Sequence, residues 1–142
     1  MKKLLLLVLV AVFVSCKQEI TVLSAKRIVI VPGVKSAKEY ATYKIKVENN
    51  SNERIKVDSV LINHENVCYK PSFILLKEGS PTQLFELDEQ GNYTLSISLL
   101  NVQPEKNNCE LGANSASIFI SKGNVNKEIK IKAFTEERKN RR

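Results

Sequence analysis

The 142-residue sequence has no tryptophan and only one histidine, and aromatic residues make up 6% of it. This scarcity argues against a carbohydrate-binding module, because exposed aromatic rings are the usual platforms for sugar rings. The sequence also lacks a glycine-rich phosphate loop, a CxxC pair and an HxH pair. Any Ser-His-Asp or Cys-His mechanism would need His64, and nothing near it resembles a nucleophile elbow. We therefore expect no enzymatic activity, no cofactor and no metal.

The charge balance is positive, but much of the excess lies at the two ends of the chain. The formal net charge is +7, and basic residues cluster at Lys2 and Lys3 and again over residues 138–142. The part between these ends is only mildly basic. That is too little charge to indicate a nucleic-acid partner.

The first sixteen residues have the pattern of an export signal. Positive residues at the start precede an unbroken apolar run of eleven residues, Leu4 to Val14. This run suits a signal-peptide core and falls short of the roughly 20 residues that a membrane-spanning helix needs. The stretch Phe13-Val14-Ser15-Cys16 resembles the lipobox of bacterial lipoproteins, although leucine is commonest at the position of Phe13. The alternative is an ordinary cleaved signal peptide with an incidental cysteine.

The lipoprotein resemblance implies that residues 1–15 are removed and that lipid is attached to Cys16. The protein would then be anchored in the cell membrane or the outer membrane, facing the periplasm or the cell surface. Two or three long acyl chains hold a protein firmly. Residues 16–19 form the tether and reach at most about 14 Å when extended, so we expect the domain to lie close to the bilayer.

After the tether, apolar residues recur at spacing two, which is the periodicity of half-buried strands. The clearest runs alternate within residues 40–48 and 93–100. The full set of predicted strands covers residues 22–31 (whole or broken), 40–48, 55–62, 67–69, 73–76, 83–87, 93–100, 115–121 and 127–134. Pro71 makes the stretch 67–76 an edge strand or a break, so we count the set as seven or eight short strands separated by turns. It predicts an all-β fold over residues 20–134, a β-sandwich with a barrel as second choice, followed by a basic disordered tail at 135–142.

One local motif indicates the type of sandwich. The segment Leu87-Asp88-Glu89-Gln90-Gly91-Asn92-Tyr93-Thr94-Leu95 resembles the tyrosine corner of immunoglobulin-like and fibronectin-like domains. In those domains the run enters the penultimate strand, and the tyrosine hydroxyl bonds back to the backbone. Here Glu89 stands where aspartate is usual. The resemblance implies an immunoglobulin-like sandwich with structural roles for Glu89, Gly91 and Tyr93, and it implies nothing about function.

Two cysteines remain once Cys16 is assigned to lipid. In an oxidising exported compartment Cys68 and Cys109 predict a disulfide. Closing their 41-residue loop would contribute about 4 kcal/mol in the chain-entropy model. Two free thiols are an alternative. A third hypothesis joins His64, Cys68 and Cys109 in a metal or ligand site, although their spacing matches no established motif.

Lysines also alternate on the polar side of two predicted strands, as Lys44 and Lys46 and as Lys130 and Lys132. They form either a basic face for anionic lipid or an acidic partner, or a protection of sheet edges against pairing with other chains. Taken together, the sequence predicts a membrane-anchored, non-catalytic binding protein that belongs to a cell-envelope assembly and has a protein partner there. The alternative is a small-ligand or metal-binding lipoprotein that uses the His64, Cys68 and Cys109 region.

Overall fold

A computed structural model of the chain describes residues 18–80, 83–88, 90–106 and 109–141. The predicted signal peptide, the lipidation site Cys16 and Glu89 of the predicted tyrosine corner lie outside the described residues. Within the part of the chain that is described, no helix is long and apolar enough to cross a membrane.

The described residues form strands joined by turns and loops. In chain order the strands are β1 (Ile20–Val31), β2 (Tyr40–Asn49), β3 (Ile55–His64), β4 (Val67–Tyr69), β5 (Phe73–Lys77), β6 (Gln83–Leu84), β7 (Glu86–Leu87), β8 (Gly91–Ser98), β9 (Ala116–Lys122), β10 (Val125–Ile131) and β11 (Thr135–Asn140).

The strands form two sheets. The six-stranded sheet has the order β11-β1-β2-β8-β5-β6, and the five-stranded sheet has the order β10-β9-β3-β4 with β7 also paired to β3. The two sheets pack face to face around one hydrophobic core. The prediction of an all-β sandwich is therefore confirmed.

The core follows from the period-two alternation of the central strands. In the six-stranded sheet the inward side chains of β2 and β8 are almost fully buried, and in the five-stranded sheet those of β3 and β9 face them. The largest of these core residues are Tyr43, Ile45, Tyr93, Leu95, Ile97, Ile55, Ile62 and Ile118. Full burial of an aliphatic or aromatic side chain of this size stabilises the fold by about 1.5–3 kcal/mol.

The first strand, predicted whole or broken, is whole and contains a bulge. β1 is continuous, but its register with β2 shifts between Val22 and Ser24. A bulge adds one residue that has no partner on the opposing strand, and the side chain of Leu23 is 49% exposed there.

The stretch predicted as one strand over residues 83–87 divides between the two sheets. β6 pairs with β5 in one sheet and β7 pairs with β3 in the other. Phe85 lies at the crossing and is 80% exposed. The chain crosses back between Leu87 and Gly91, so β8 belongs to the six-stranded sheet. Three strands follow β8 in the described chain, so Tyr93 is not in the penultimate strand, where immunoglobulin-like domains have their corner tyrosine.

The tail predicted to be disordered contains a strand. β11 pairs in parallel with β1, and Lys26 is opposite Thr135 at the start of the ladder. All six residues of β11 are exposed, which explains why its sequence shows no apolar alternation. Backbone pairing supports the strand, and Nη2 of Arg138 donates to both carboxylate oxygens of Glu39, at 2.9 and 3.1 Å.

The register defines two ends of the sandwich. The N-terminal end carries Gln18, the β2–β3 turn at residues 50–54 and the β9–β10 hairpin. The distal end carries the β1–β2 loop at residues 32–39, the β3–β4 turn at residues 65–66 and the loop at residues 99–115. Glu19 fixes the N-terminal end, because its carboxylate lies 2.6 Å from Nζ of Lys122 and 2.9 Å from Nζ of Lys127. Both ammonium groups lower the pKa of the Glu19 carboxyl.

Candidate functional site

The 99–115 loop and the outer face of the five-stranded sheet together form a groove. Leu61 of β3, Phe119 of β9 and Leu111 of the loop contribute apolar side chains to a cavity of about 590 Å³. Four charged residues form the rim of this groove. They belong to the loop, to β10 and to the segment after β10: Glu110, Glu128, Lys130 and Lys132. An apolar cavity with a few polar groups around it is the usual form of a binding site.

A disulfide attaches this loop to the sheet. Cys68 of β4 is bonded to Cys109, and their Cα atoms are 5.4 Å apart, within the range that a disulfide can bridge. The predicted pairing is therefore confirmed. A backbone hydrogen bond supports the same contact, because the amide of Glu105 donates to the carbonyl oxygen of Cys68 at 2.8 Å.

Asn63 of β3 fixes the second half of the loop. Its side-chain Nδ2 donates to the carbonyl oxygen of Leu111 at 2.9 Å, and its backbone amide donates to that of Ser115, also at 2.9 Å. Asn101 and Asn114, near the two ends of the loop, adopt left-handed φ values of 61° and 54°. Asparagine is one of the few residues that tolerate this conformation, so the sequence suits the reversals that the loop requires.

The charged residues of the rim differ in whether they have a partner within the described part of the protein. The hydroxyl of the fully buried Ser117 donates to a carboxylate oxygen of Glu128 at 2.6 Å, which fixes this acid on the sheet. Among the residues that the structure describes, neither Lys130 nor Lys132 forms an ion pair. These two ammonium groups are therefore available to an anionic or hydrogen-bond-accepting partner in the groove.

His64, the only imidazole, lies on the other face of the same sheet. Its Nδ1 is 2.8 Å from the hydroxyl of Tyr43 across the sandwich. Burial, and secondarily the charge of Arg27, lowers the pKa of His64. Burial raises the pKa of Tyr43 to about 12. Both groups are therefore neutral at pH 7. The arrangement that uses both ring nitrogens has Tyr43 donating to Nδ1 and Nε2–H facing Glu65, 3.8 Å away.

Arg27 accompanies this pair in a polar cluster at the distal end. Its side chain is only 12% exposed; Nη1 donates to Asn114 at 3.1 Å, and its guanidinium lies 3.6 Å from Glu65 and 3.9 Å from Glu136. Its buried Nε has no hydrogen-bond partner among the described residues. A cavity of about 250 Å³ adjoins the cluster. It is smaller and more polar than the groove.

The structure does not bring His64, Cys68 and Cys109 into one site. Cys68 is paired with Asn63 in the ladder, one position away from the pair of His64 with Val67. Because successive strand residues face opposite sides, the disulfide lies on the groove side and the imidazole on the core side. The disulfide also removes both thiolates as metal ligands. Within the described ranges, no group of three or more His, Cys, Asp or Glu side chains could hold a metal ion.

Gly91 and Tyr93, the described residues of the predicted tyrosine corner, lie at the crossing between the sheets. The hydroxyl of the buried Tyr93 donates to the carbonyl oxygen of Asp88 at 3.2 Å. A Cβ atom on Gly91 would lie 3.0 Å from that hydroxyl, so a side chain at this position would push against the tyrosine ring. These contacts are those of a structural role.

The apolar groove residues were not predicted from the sequence, although a signal for them exists. Val60-Leu61-Ile62 and Ile118-Phe119-Ile120 are runs of three apolar residues within alternating strands. Only the first and third residues of such a run can face the core. The middle residue, Leu61 or Phe119, must point outward and mark an apolar surface on the outer face.

Comparison with known proteins identifies no relative, because no protein-family model matches the chain and no curated protein matches it. A function has to be inferred from the groove, the polar cluster and the charges on the two sheet faces.

Proposed function

We propose that the protein is a bacterial lipoprotein, held on a membrane by lipid on Cys16, that acts by non-catalytic binding as an accessory or structural component of a cell-envelope assembly. The groove is the observation that carries this proposal. It combines an apolar cavity of about 590 Å³, a loop held in place by a disulfide and two rim lysines that have no ion pair in the described part of the chain. Such preorganisation lowers the entropic cost of binding a partner.

The position of the tether supports an anchored domain without a stalk. Gln18 and Glu19 are already fixed to the sandwich, because Asn50 donates from its amide to the carbonyl of Glu19 at 2.8 Å and from Nδ2 to that of Gln18 at 3.2 Å. Only Lys17 separates Gln18 from Cys16. Lipid on Cys16 would therefore hold Gln18, and the domain with it, within about 7 Å of the lipidated cysteine.

We also propose that the sandwich is immunoglobulin-like. The order β1-β2-β8-β5 in one sheet and β10-β9-β3-β4 in the other corresponds to strands A-B-E-D and G-F-C-C′ of that fold. β6, β7 and β11 are additions to this scheme. The tyrosine hydrogen bond departs from the pattern, because Tyr93 begins the strand equivalent to E rather than F.

The placement of the only imidazole favours binding over catalysis. His64 faces Tyr43 inside the sandwich, away from the groove. A second candidate function is the binding of a small ligand in the distal cavity of about 250 Å³. The unpartnered Nε of Arg27 favours it, since a buried donor gains from an acceptor.

Two measurements test the proposal. The intact mass of protein extracted from membranes should show residues 1–15 removed and acyl groups added, and Cys16→Ser should abolish both changes. A photo-crosslinking residue placed at Lys132 on the groove rim should form a discrete protein adduct in intact cells. The matched control position is Asn124 at the exposed hairpin tip, which should form none. An unlipidated mature chain would refute the anchor, and identical adducts from both positions would refute the groove as the binding surface.

A further inference from the structure

Three lysines lie together on the outer face of the six-stranded sheet. Lys26 of β1 is directly opposite Lys44 of β2, and Lys46 is on the same face one position along. All three are exposed. The sequence gives the spacing of Lys44 and Lys46, but only the β1–β2 register brings Lys26 beside them. We call Lys26, Lys44 and Lys46 the lysine face.

Edge protection does not account for these residues. β2 lies between β1 and β8 in the interior of its sheet, and β11 covers β1 from Lys26 onward. Lysines discourage pairing only where a strand edge is free. That explanation holds for Lys130 on the edge strand β10, so the two lysine rows recognised in the sequence have different causes.

Within the described ranges, the lysine face also has no counter-ion. None of its three ammonium groups forms an ion pair among the described residues. Among the described residues, two acids share the outer face of this sheet: Glu48, beyond Lys46, and Glu137, which lies 3.5 Å from Lys139. Like charges directly opposite each other destabilise a sheet, so Lys26 and Lys44 carry a cost that no contact within the described chain offsets.

The opposite face of the sandwich provides the contrast. On the outer face of the five-stranded sheet, Lys56 lies 3.8 Å from Asp58 of the same strand. Glu128 shares the outer face of β10 with Lys130, although Lys130 and Lys132 form no ion pair among the described residues. Within the described chain, two lysines lie directly opposite each other only in the sheet that contains β1.

We propose that the lysine face lies against anionic lipid head groups and orients the domain on the membrane, an inference that rests on the proposed lipid anchor at Cys16. The tether enters through β1, a strand of the same sheet, so the membrane is the anionic surface nearest to the lysines. Hydroxyl groups surround them: Ser24 is opposite Lys46, and Thr94 and Ser96 are opposite Lys46 and Lys44 on β8. Flexible lysine chains can extend to phosphate while their methylene stems cover the sheet.

An exposed apolar side chain completes the row. Ile74 of β5 is opposite Ser96, in line with Lys44 and Lys26, and it is 47% exposed. Lysines combined with an apolar residue suit the boundary between head groups and acyl chains. This orientation turns the groove, on the opposite face, away from the bilayer and toward a partner.

The experiment uses the whole lipidated protein reconstituted in vesicles of phosphatidylcholine, with or without phosphatidylglycerol. Flotation reports the anchor, and brief labelling with an amine-reactive reagent followed by mass spectrometry reports each lysine. We expect labelling of Lys26, Lys44 and Lys46 to fall by about five-fold at each lysine when the anionic lipid is present. High salt should reverse the effect. Lys130 and Lys132 on the opposite side should label equally in both kinds of vesicle.

The outcomes separate the two proposals. Flotation with both kinds of vesicle but equal labelling of the lysine face would overturn the orientation and leave the anchor standing. Flotation with neither would overturn both. Flotation only with anionic vesicles, with the lysine face protected, would support the lysine face and refute the anchor. The charge-reversed pair Lys44→Glu and Lys46→Glu should lose the protection at Lys26, whereas Lys130→Glu with Lys132→Glu should keep it.

Discussion

The hydroxyl of Tyr43 and Nδ1 of His64 lie 2.8 Å apart and join the two sheets across the distal end of the core. Burial lowers the pKa of His64 below its ordinary value of 6.5. When the pH falls below 6.5, the unfolded chain therefore takes up a proton before the folded one does. The stability contributed by neutral His64 is fully present above pH 6.5 and is lost as the pH falls through the pKa of the folded state.

The direction of this pH dependence can be checked with one NMR resonance. Because the chain has a single histidine, the ring Cε1–H resonance of His64 should titrate with a midpoint below 6.5. Urea unfolding should give a lower free energy of unfolding at pH 5.5 than at pH 7.5. His64→Gln, which keeps an acceptor for Tyr43, should reduce that difference. A midpoint above 6.5 would contradict the buried neutral imidazole.

A second prediction concerns the carbonyl oxygen of Asp88, which accepts from Nδ2 of Asn49 at 2.8 Å and from the Tyr93 hydroxyl at 3.2 Å. Asn49 is 1% exposed and also bonds Glu53 and Ser51. Asn49→Ala leaves several buried groups unpaired, and we expect a loss of about 2–3 kcal/mol in unfolding free energy. Tyr93→Phe should cost only about 1 kcal/mol, because the Asp88 oxygen keeps its other donor.

The neighbouring residue supplies the control for this comparison. Asn50 bonds Gln18 and Thr21 in a more exposed position, so Asn50→Ala should lower the unfolding free energy by about 0.5–1 kcal/mol. Equal losses at positions 49 and 50 in denaturant unfolding would show that burial of the Asn49 side chain does not determine its contribution.

The strands that could be predicted are those in which burial of one face gives the sequence a regular alternation of apolar and polar residues. β2 and β8 alternate clearly because one face of each strand is in the core, and both were placed correctly to within two residues. β11 was missed because both of its faces are exposed. Its backbone pairing with β1 fixes it, and that pairing leaves no pattern in the side chains. The split at Phe85 was missed because a change of sheet leaves the local period of two unchanged.

The candidate site was harder to predict for a related reason. The cysteine count and the expected oxidising compartment were enough to predict the bond between Cys68 and Cys109. Whether His64 shares their site depends on which face each side chain occupies, and that required the register of β3 with β4. The lysine face likewise required the pairing of Lys26 with Lys44, a contact between strands that the spacing of lysines in one strand does not contain.

The disulfide gives a third prediction. Cys68 and Cys109 close a loop of 41 residues, so replacing both by alanine should lower the free energy of unfolding by at most about 4 kcal/mol. Cleavage by a protease within the 99–115 loop should become faster. Reduction of the unchanged protein should reproduce both effects. A loss under about 1 kcal/mol would mean that the hydrogen bonds of Asn63 and of the Cys68 carbonyl are enough to hold the loop.

A fourth prediction separates stability from function at the lysine face. Lys44→Glu replaces the like-charged pair with Lys26 by an opposite-charged one, and we expect thermal or urea unfolding to show a gain of about 0.2–1 kcal/mol. Lys46→Glu is the matched control, because Lys46 is opposite Ser24, and it should change stability little. The gain at position 44 should shrink in high salt.

The same Lys44→Glu protein should nevertheless lose protection of Lys26 on anionic vesicles. A substitution that stabilises the isolated domain while weakening its contact with the membrane would show that the like-charged pair serves an external anionic surface. A destabilised Lys44→Glu protein would mean instead that Lys44 makes a favourable contact within the sheet. The charge on this face would then have a structural cause.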